Sequence, residues 1–165
     1  HGNTLALSTG EIRRRPIKER FDTKQVDHVV ETNLLPHRGW TIPAGDPNYE
    51  VNNSFEFEED IYLLSMGPHM HYRGKRMRYE AHYPDGRIET LLNVPRYDFN
   101  WQRQYVLAEP RRLPRGTRIV ARAGFDNSSK NPANPDPESE VGWGDQSFDE
   151  MLIGYFVYHE ADDAP

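Results

Sequence analysis

The chain has 165 residues, a formal charge of −6 and a pI of about 5.6. This length suits one domain, or one domain with an appendage, and no apolar run approaches the roughly 20 residues needed to span a bilayer. The acidic balance argues against a nucleic-acid binder, because phosphate neutralisation needs a basic excess. The absence of cysteine excludes disulfides and all thiolate metal sites.

Residues 1–39 differ in composition from the rest of the chain. They combine charged stretches, such as RRRPIKER at 13–20, with short apolar islands, and they predict an arm or linker from a preceding region. A basic anchor for a membrane or a partner is the alternative. The chain begins with His1 instead of methionine, which indicates a processed, tagged or excised product.

From Trp40 onward the sequence is typical of β-structure. Short runs of aliphatic and aromatic residues recur between Pro, Gly and Asn. The run at 75–83 alternates between apolar and polar residues, and the Pro-Asp-Gly turn at 84–86 predicts a hairpin over 75–94. The predicted strands are 49–57, 60–66, 75–83, 87–94, 100–107, 117–125 and 150–158.

These strands predict an all-β domain at residues 40–160, followed by a tail at 161–165. No amphipathic helix is apparent, and parallel sheets need helical crossovers, so we expect an antiparallel two-sheet sandwich of jelly-roll type. A polar, proline-rich loop at 126–146 precedes the last strand. A loop of this length inside a compact domain is usually functional or disordered.

The segment GPHMHYRGK at 67–75 carries the clearest chemical pattern. Residues i and i+2 of an extended backbone point to one side, so His69 and His71 can direct two imidazoles at one metal ion while Met70 points away. Two exposed histidines on a strand are the alternative interpretation.

A third ligand is left open by the residues alone. Glu80 and Asp98 are acidic candidates, and Met151 is either a ligand or a core residue on the same strand face as Ile153. A set of two imidazoles and one thioether would suit copper, especially Cu(I), better than zinc, calcium or magnesium.

Three segments together carry a family resemblance: HMHYRGK at 69–75, YPDGRIETLLNVPRYDFNWQRQY at 83–105 and DQSFDEMLIGYFVYH at 145–159. They resemble the C-terminal domain of the copper type II, ascorbate-dependent monooxygenases, most closely its bacterial members. The resemblance implies a jelly-roll domain in which His69, His71 and Met151 hold the one copper ion where O2 reacts and a C–H bond is hydroxylated.

The resemblance also implies a redox partner. Ascorbate or another one-electron donor would supply electrons through a second copper domain, a cytochrome c or a thioredoxin-like module, and the protein would be extracytoplasmic. His1, His28 and His37 do not match the three-histidine pattern of the second copper. We therefore expect little activity from this chain alone.

The matching positions also bear on the substrate. Tyr155 matches a tyrosine near the family's substrate pocket and is the predicted catalytic residue, with Trp101 and Trp143 as further candidates to line the pocket. Gly67 and Ile153 stand where the amidating members carry an arginine and an asparagine that hold a peptide carboxylate. A glycine-extended peptide is therefore not the expected substrate.

Two other functions compete with this one. A cupin-like metal enzyme also uses a His-X-His pair, but it needs a glutamate three or four residues later, whereas Glu80 follows His71 by nine residues. A non-catalytic structural or accessory subunit with the same fold would explain the missing electron-transfer domain.

Overall fold

The computed structural model describes residues 31–36 and 38–161. In this part of the chain there are ten β-strands and no helix, which confirms the all-β class. The strands are β1 Glu31–Pro36, β2 Thr41–Ile42, β3 Tyr49–Glu56, β4 Ile61–His69, β5 Gly74–His82, β6 Ile88–Val94, β7 Tyr105–Leu113, β8 Arg118–Phe125, β9 Val141–Gly142 and β10 Ile153–Glu160.

The strands form two four-stranded sheets and one small sheet. The first has the order β1-β10-β4-β7, the second β3-β8-β5-β6, and β2 pairs with β9. Each of these strand pairs is antiparallel. The antiparallel sandwich is therefore confirmed, and so is the hairpin at 75–94, which is formed by β5 and β6. The jelly-roll subtype stays a prediction.

Between the two large sheets lies the hydrophobic core. Apolar side chains at alternating positions point inward, as the pleat of a strand requires. At one end, Phe55, Phe57, Phe156 and Tyr158 form an aromatic cluster with ring centroids 5.2 to 5.8 Å apart. Since each such pair contributes about 0.5–1.5 kcal/mol beyond its buried area, packing stabilises this cysteine-free sandwich.

The sheets approach each other closely next to the His-Met-His segment. Tyr79 of β5 is fully buried and donates a hydrogen bond from its hydroxyl to the Gly67 carbonyl of β4 at 2.8 Å. Gly154 of β10 faces it: a Cβ there would lie 3.1 Å from Ala121 and 3.3 Å from the Tyr79 ring. This contact fixes the position of the end of β4 relative to the second sheet.

Several strand boundaries differ from the sequence prediction. β4 continues to His69 instead of ending at residue 66, and β7 begins at Tyr105 and continues through Pro110 to Leu113. β7 is an edge strand, where proline is tolerated because one side has no hydrogen-bond partner. β10 begins at Ile153, so Met151 precedes the strand and does not open it.

The segment predicted as an arm contributes its last residues to the sandwich. β1 pairs with β10 over six residues, from Glu31 opposite Tyr158 to Pro36 opposite Ile153. The division of the chain at residue 39 stays a prediction. The RRRPIKER stretch, His1, His28, His37 and residues 162–165 lie outside the described residues. No helix within 31–36 or 38–161 is long and apolar enough to cross a membrane.

Candidate metal centre

The two histidines of the His-Met-His segment lie side by side where β4 ends. His69 is the last residue of β4, and the following Met70 is fully buried in the core. The imidazole centroids of His69 and His71 are 5.2 Å apart, and the ring planes are nearly perpendicular. The i, i+2 spacing thus brings two imidazoles together while the methionine between them packs into the sandwich.

Each of the two rings turns its Nδ1 atom to a carbonyl oxygen. His69 Nδ1 lies 2.6 Å from Gln102 Oε1, and His71 Nδ1 lies 3.2 Å from the backbone oxygen of Asp149. The Gln102 amide is held in this orientation because its Nε2 donates to the Phe99 carbonyl at 2.9 Å. Since a carbonyl oxygen only accepts, both neutral rings carry their proton on Nδ1, and both Nε2 atoms keep a lone pair.

His71 is the more buried of the two imidazoles. It is 5% exposed, and burial lowers its pKa below the ordinary value of 6.5. The Phe99 ring packs edge-on against it, with centroids 6.0 Å apart. Because neutral imidazole is the metal-binding form, this environment extends the pH range in which His71 can bind a metal.

A buried carboxylate, Glu150, joins the histidine segment to the segment containing Met151. Its Oε2 accepts the backbone N–H of His71 at 3.0 Å and that of Met151 at 3.3 Å, while Oε1 accepts the backbone N–H of Arg73 at 2.5 Å. Glu150 is 0% exposed, and burial raises its pKa to about 7, against the lowering effect of these bonds. One side chain therefore ties together two segments 79 residues apart in sequence.

Met151 is half-buried and lies two residues before β10. In the β10–β4 ladder, Ile153 is opposite His69. The same antiparallel register, extended by two residues, would set Met151 opposite His71. Glu150 Oε2 accepts the backbone N–H of both His71 and Met151, so these two nitrogens cannot be further apart than the sum of the two hydrogen-bond distances. The backbones of the predicted ligands are thus neighbours.

Tyr97 holds the backbone between the two histidines. Its hydroxyl donates to the Met70 carbonyl at 2.7 Å and accepts the Met70 N–H at 3.0 Å. Met70 follows the last residue of β4, so its peptide groups have no partner in the sheet ladder. A side chain 27 residues away in sequence supplies both bonds instead.

Arg73 anchors the long loop at 126–146 beside the site. The side chain is 2% exposed and donates from Nε to Asn127 Oδ1 and from a terminal nitrogen to the Phe148 carbonyl, both at 2.7 Å. Asn127 is fully buried and in turn donates to the carbonyls of Pro43 and Ser139. The polar loop is therefore held by a buried network of hydrogen bonds.

A groove of about 350 Å³ opens beside His69. Its walls come from the end of β4, from β10 and from residues 102–104 before β7. The Tyr155 ring lies at 6.2 Å from the His69 ring, centroid to centroid, and is 37% exposed. The predicted catalytic tyrosine thus has its side chain in a groove next to the first histidine.

The other two predicted pocket residues, Trp101 and Trp143, are not among the residues that line this groove. Trp101 is 61% exposed and has the Arg103 guanidinium 4.0 Å from its ring centroid. Trp143 is half-buried, has the Arg38 guanidinium 5.3 Å from its ring centroid, and forms a backbone bridge with Glu150.

The acidic candidates for a third ligand are engaged elsewhere. Glu80 lies on the other sheet, where it pairs with Arg78 at 2.7 Å, Arg122 at 2.9 Å and His82 at 2.9 Å. Asp98 accepts the backbone N–H of Asn100 in an exposed turn. Among residues 31–36 and 38–161, no group of three or more His, Asp or Glu residues is placed to hold a metal ion.

Four residues that shape the site were not predicted from the sequence: Glu150, Gln102, Tyr97 and Arg73. All four occur in or next to the segments quoted for the family resemblance, but none has a spacing that signals its role. A charged residue next to Met151 gave one usable hint, because a buried carboxylate needs partners. The partners themselves come from distant parts of the chain.

Comparison with known families adds an independent observation. Residues 41–164, most of the chain, match the family model described as copper type II ascorbate-dependent monooxygenase, C-terminal domain. No curated protein shows a significant match to the chain. The matched range contains both histidines, the groove and Met151.

Proposed function

Because the chain belongs to the copper type II ascorbate-dependent monooxygenase family, as a C-terminal domain, we propose that it holds one copper ion through His69, His71 and Met151. In this proposal the domain is the substrate-hydroxylating part of a monooxygenase.

The orientation of the two imidazoles carries the proposal. Histidines that bind a metal through one ring nitrogen almost always donate the other N–H to a carbonyl or carboxylate. His69 and His71 both have Nδ1 beside a carbonyl oxygen, from Gln102 and Asp149. In these tautomers Nε2 is the ring nitrogen that would bind the metal ion.

The chemistry of the donor set supports copper over other metals. Two imidazoles suit Zn, Cu, Fe and Ni, whereas a thioether selects Cu(I). The chain has no cysteine, and among the described residues no carboxylate forms a group of three metal-ligand side chains with the two histidines. Copper bound here would supply one-electron redox chemistry and O2 activation.

The surrounding residues have separate roles in the proposal. Glu150 fixes the backbones of His71 and Met151 relative to each other, and Tyr97 fixes the peptide between the histidines. Tyr155 lies in the groove beside His69, where in this proposal its phenol contacts the substrate. We assign it the catalytic position for that reason.

Electrons must come from outside the described residues. The family is ascorbate-dependent, so ascorbate or another one-electron donor is part of the proposal. A second copper domain, a cytochrome c or a thioredoxin-like module would deliver those electrons. An extracytoplasmic location belongs to the same proposal and rests on the family resemblance alone.

A copper titration tests the metal assignment. We expect one equivalent of Cu(I) to bind in competition with a chromophoric chelator, and a sulfur scatterer to appear in the copper X-ray absorption spectrum. Met151→Leu keeps an apolar side chain of similar size but removes the sulfur, so Cu(I) affinity should fall at least tenfold. His82→Gln, which changes a histidine on the other sheet, is the matched control.

Two results would contradict the proposal. Wild-type protein that takes up no copper supports the alternative of a non-catalytic accessory subunit. Met151→Leu protein that binds Cu(I) as tightly as wild type would remove Met151 from the ligand set. The cupin-like alternative is not supported, because no third histidine or glutamate joins the pair in that range.

A further inference from the structure

The outer face of the second sheet places two arginines side by side. Arg122 of β8 lies directly opposite Arg78 of β5, and both side chains are about half exposed. Asn52 of β3 continues this cross-strand row on one side, and Asn93 of β6 continues it on the other. Like charges directly opposite each other destabilise a sheet, so the two guanidinium groups require negative charge near them.

One buried carboxylate holds both guanidinium groups in position. Glu80 is 7% exposed, and its Oε1 pairs with Arg78 at 2.7 Å while its Oε2 accepts from Nε of Arg122 at 2.9 Å. The same Oε2 lies 2.9 Å from Nε2 of His82. Each guanidinium carries five N–H donors, so these bonds orient the two arginines and leave further donors directed to solvent. A single carboxylate compensates only one of their two charges.

A third guanidinium reaches the same place because position 124 is a glycine. Arg76 lies opposite Gly124 in the β5–β8 ladder, and a Cβ at position 124 would lie 2.7 Å from the guanidinium carbon of Arg76. The terminal nitrogens of Arg76 donate to Asn48 Oδ1 at 2.8 Å and to the Glu50 carboxylate. The guanidinium is therefore held against the backbone of β8, in space that any other residue at position 124 would fill.

These side chains surround a cavity of about 240 Å³. Its polar lining consists of three arginines, two asparagines and one glutamate: Arg76, Arg78, Arg122, Asn52, Asn93 and Glu50. Together with Glu80, which lies outside the lining, two carboxylates face three guanidinium groups. The cavity therefore has an excess of positive charge in a chain whose formal net charge is −6. Its volume is below the roughly 300 Å³ at which most small-molecule sites begin, so it suits a small anion.

From this arrangement we infer that the cavity binds a small tetrahedral oxyanion, a phosphate or sulfate group. The planar fork of a guanidinium matches the oxygens of such anions in pairs. A tetrahedral anion directs its oxygens to three arginines on two strands at once, whereas a monocarboxylate has only two oxygens. The amides of Asn52 and Asn93 are exposed and supply further donors. The site lies on the second sheet, whereas His69 ends a strand of the first, so the inference goes beyond the proposed function and needs no copper.

Calorimetric titration of the copper-free full chain with inorganic phosphate tests this site. Sodium chloride holds the ionic strength constant, and sulfate, glycerol 3-phosphate and acetate are the comparison ligands. We expect one phosphate per chain, bound about tenfold or more tighter than acetate, because each additional charge-assisted hydrogen bond contributes at least that factor. Sulfate should bind in the same range as phosphate. Glycerol 3-phosphate that binds as tightly as phosphate would show that the site accepts an ester, and weaker binding would identify the free anion as its ligand.

Two variants test the position of the anion without removing an arginine. Asn93→Asp adds a carboxylate to the lining and should weaken phosphate binding about tenfold or more, by repulsion at close range. Gly124→Ala keeps every charge, but its Cβ displaces the Arg76 guanidinium, so it should also weaken binding, by a smaller factor. Because the displaced atoms end a flexible side chain, the unfolding temperature of Gly124→Ala should stay close to that of wild type. Asn100→Asp, which adds the same charge in an exposed turn before β7, is the control and should leave phosphate affinity unchanged.

Several results would overturn the inference. Phosphate that binds no more tightly than acetate, or fails to bind at millimolar concentration, is the first of them. Unchanged phosphate affinity in Asn93→Asp is the second. An equal loss of affinity in Asn100→Asp is the third, since it would show a general effect of net charge in place of a local site. Full affinity in a folded Gly124→Ala protein would also count against the site, and if that variant does not fold, Asn93→Asp decides the question.

Discussion

Replacing Tyr97 with phenylalanine isolates the contribution of one hydroxyl to the His-Met-His segment. That hydroxyl satisfies both the N–H and the C=O of Met70, at 3.0 and 2.7 Å. Met70 is fully buried, so water cannot easily replace either bond. The phenylalanine ring fills the same space, and the change therefore creates unsatisfied polar groups without a large cavity.

The expected loss follows from the number of orphaned groups. Each buried peptide group left without a partner costs about 1–3 kcal/mol, so the loss of both partners in Tyr97→Phe should destabilise the copper-free protein by about 2–6 kcal/mol. For a chain of this size, that corresponds to a fall in the unfolding temperature of roughly 4–24 °C. Urea denaturation followed by tryptophan fluorescence measures the free energy, and calorimetry measures the temperature.

Tyr83→Phe is the matched control for this experiment. The Tyr83 hydroxyl donates to Glu89 at 2.7 Å and also bonds with Arg111, and Glu89 pairs with Arg87 and Arg111. Its removal should cost less than about 1 kcal/mol, because the carboxylate keeps its other partners. If Tyr97→Phe is no more destabilising than Tyr83→Phe, the hydroxyl does not fix the Met70 peptide, and the argument is refuted.

Three further predictions concern the same region. Gly74→Ala should destabilise the protein by about 2 kcal/mol or more, because a Cβ there would lie 2.7 Å from the Met70 Cβ and 2.8 Å from the Tyr97 ring. Gly67→Ala should be nearly neutral, and the urea denaturation midpoints of the two variants measure the difference. Asn127→Ala should speed proteolytic cleavage within 126–146, because Arg73 loses the acceptor for its Nε hydrogen bond. Asn93→Ala, at an exposed position of β6, is the control and should leave the rate of cleavage unchanged. Glu150→Gln should reverse the sign of the pH dependence of copper-free stability between pH 4.5 and 7, measured by urea denaturation across that range.

Seven of the ten strands were predictable because each of those seven carries a local pattern of its own. The β5–β6 hairpin shows alternation followed by Pro-Asp-Gly, with a positive φ at Gly86 where the turn requires it. The strands β2 and β9 have only two residues each, too few for any periodicity to appear. Their pairing depends on the packing of the loops that contain them, which no local pattern describes.

Pro68 explains why one strand boundary was misplaced. A proline is expected to end a strand, except at a position where the sheet requires no hydrogen bond from its nitrogen. β7 pairs with β4 only as far as Tyr105 opposite Met66, so beyond that point the β7 side of β4 is free. β4 therefore continues through Pro68 to His69, paired with β10 alone.

The site was predictable in part for a similar reason. The His-X-His spacing is local, so the neighbouring rings could be expected from the pleat of a strand. Gln102 and Tyr97 act on His69 and Met70 from 33 and 27 residues away, and Glu150 acts on His71 from 79 residues away. Contacts between residues so far apart in sequence depend on the complete topology, and the local sequence does not predict them.

The pH dependence assigned to Glu150 depends on two groups with opposite effects. The pKa of Glu150 rises from 4.5 to about 7 on folding, so between these values the folded chain holds a proton that the unfolded chain releases. That contribution to stability is complete below pH 4.5 and is lost as the pH rises through 7, up to roughly 3 kcal/mol.

His71 acts in the other direction, because burial lowers its pKa on folding and its contribution is lost as the pH falls below 6.5. In wild type the Glu150 effect should dominate, so copper-free stability should increase from pH 7 to pH 5. In Glu150→Gln the Glu150 effect is absent, whereas the lowered pKa values of His71, Glu80 and Glu89 all reduce stability as the pH falls, so stability should decrease over the same interval. If both proteins show the same slope, Glu150 does not take up a proton on folding, and the three backbone N–H bonds keep it ionised.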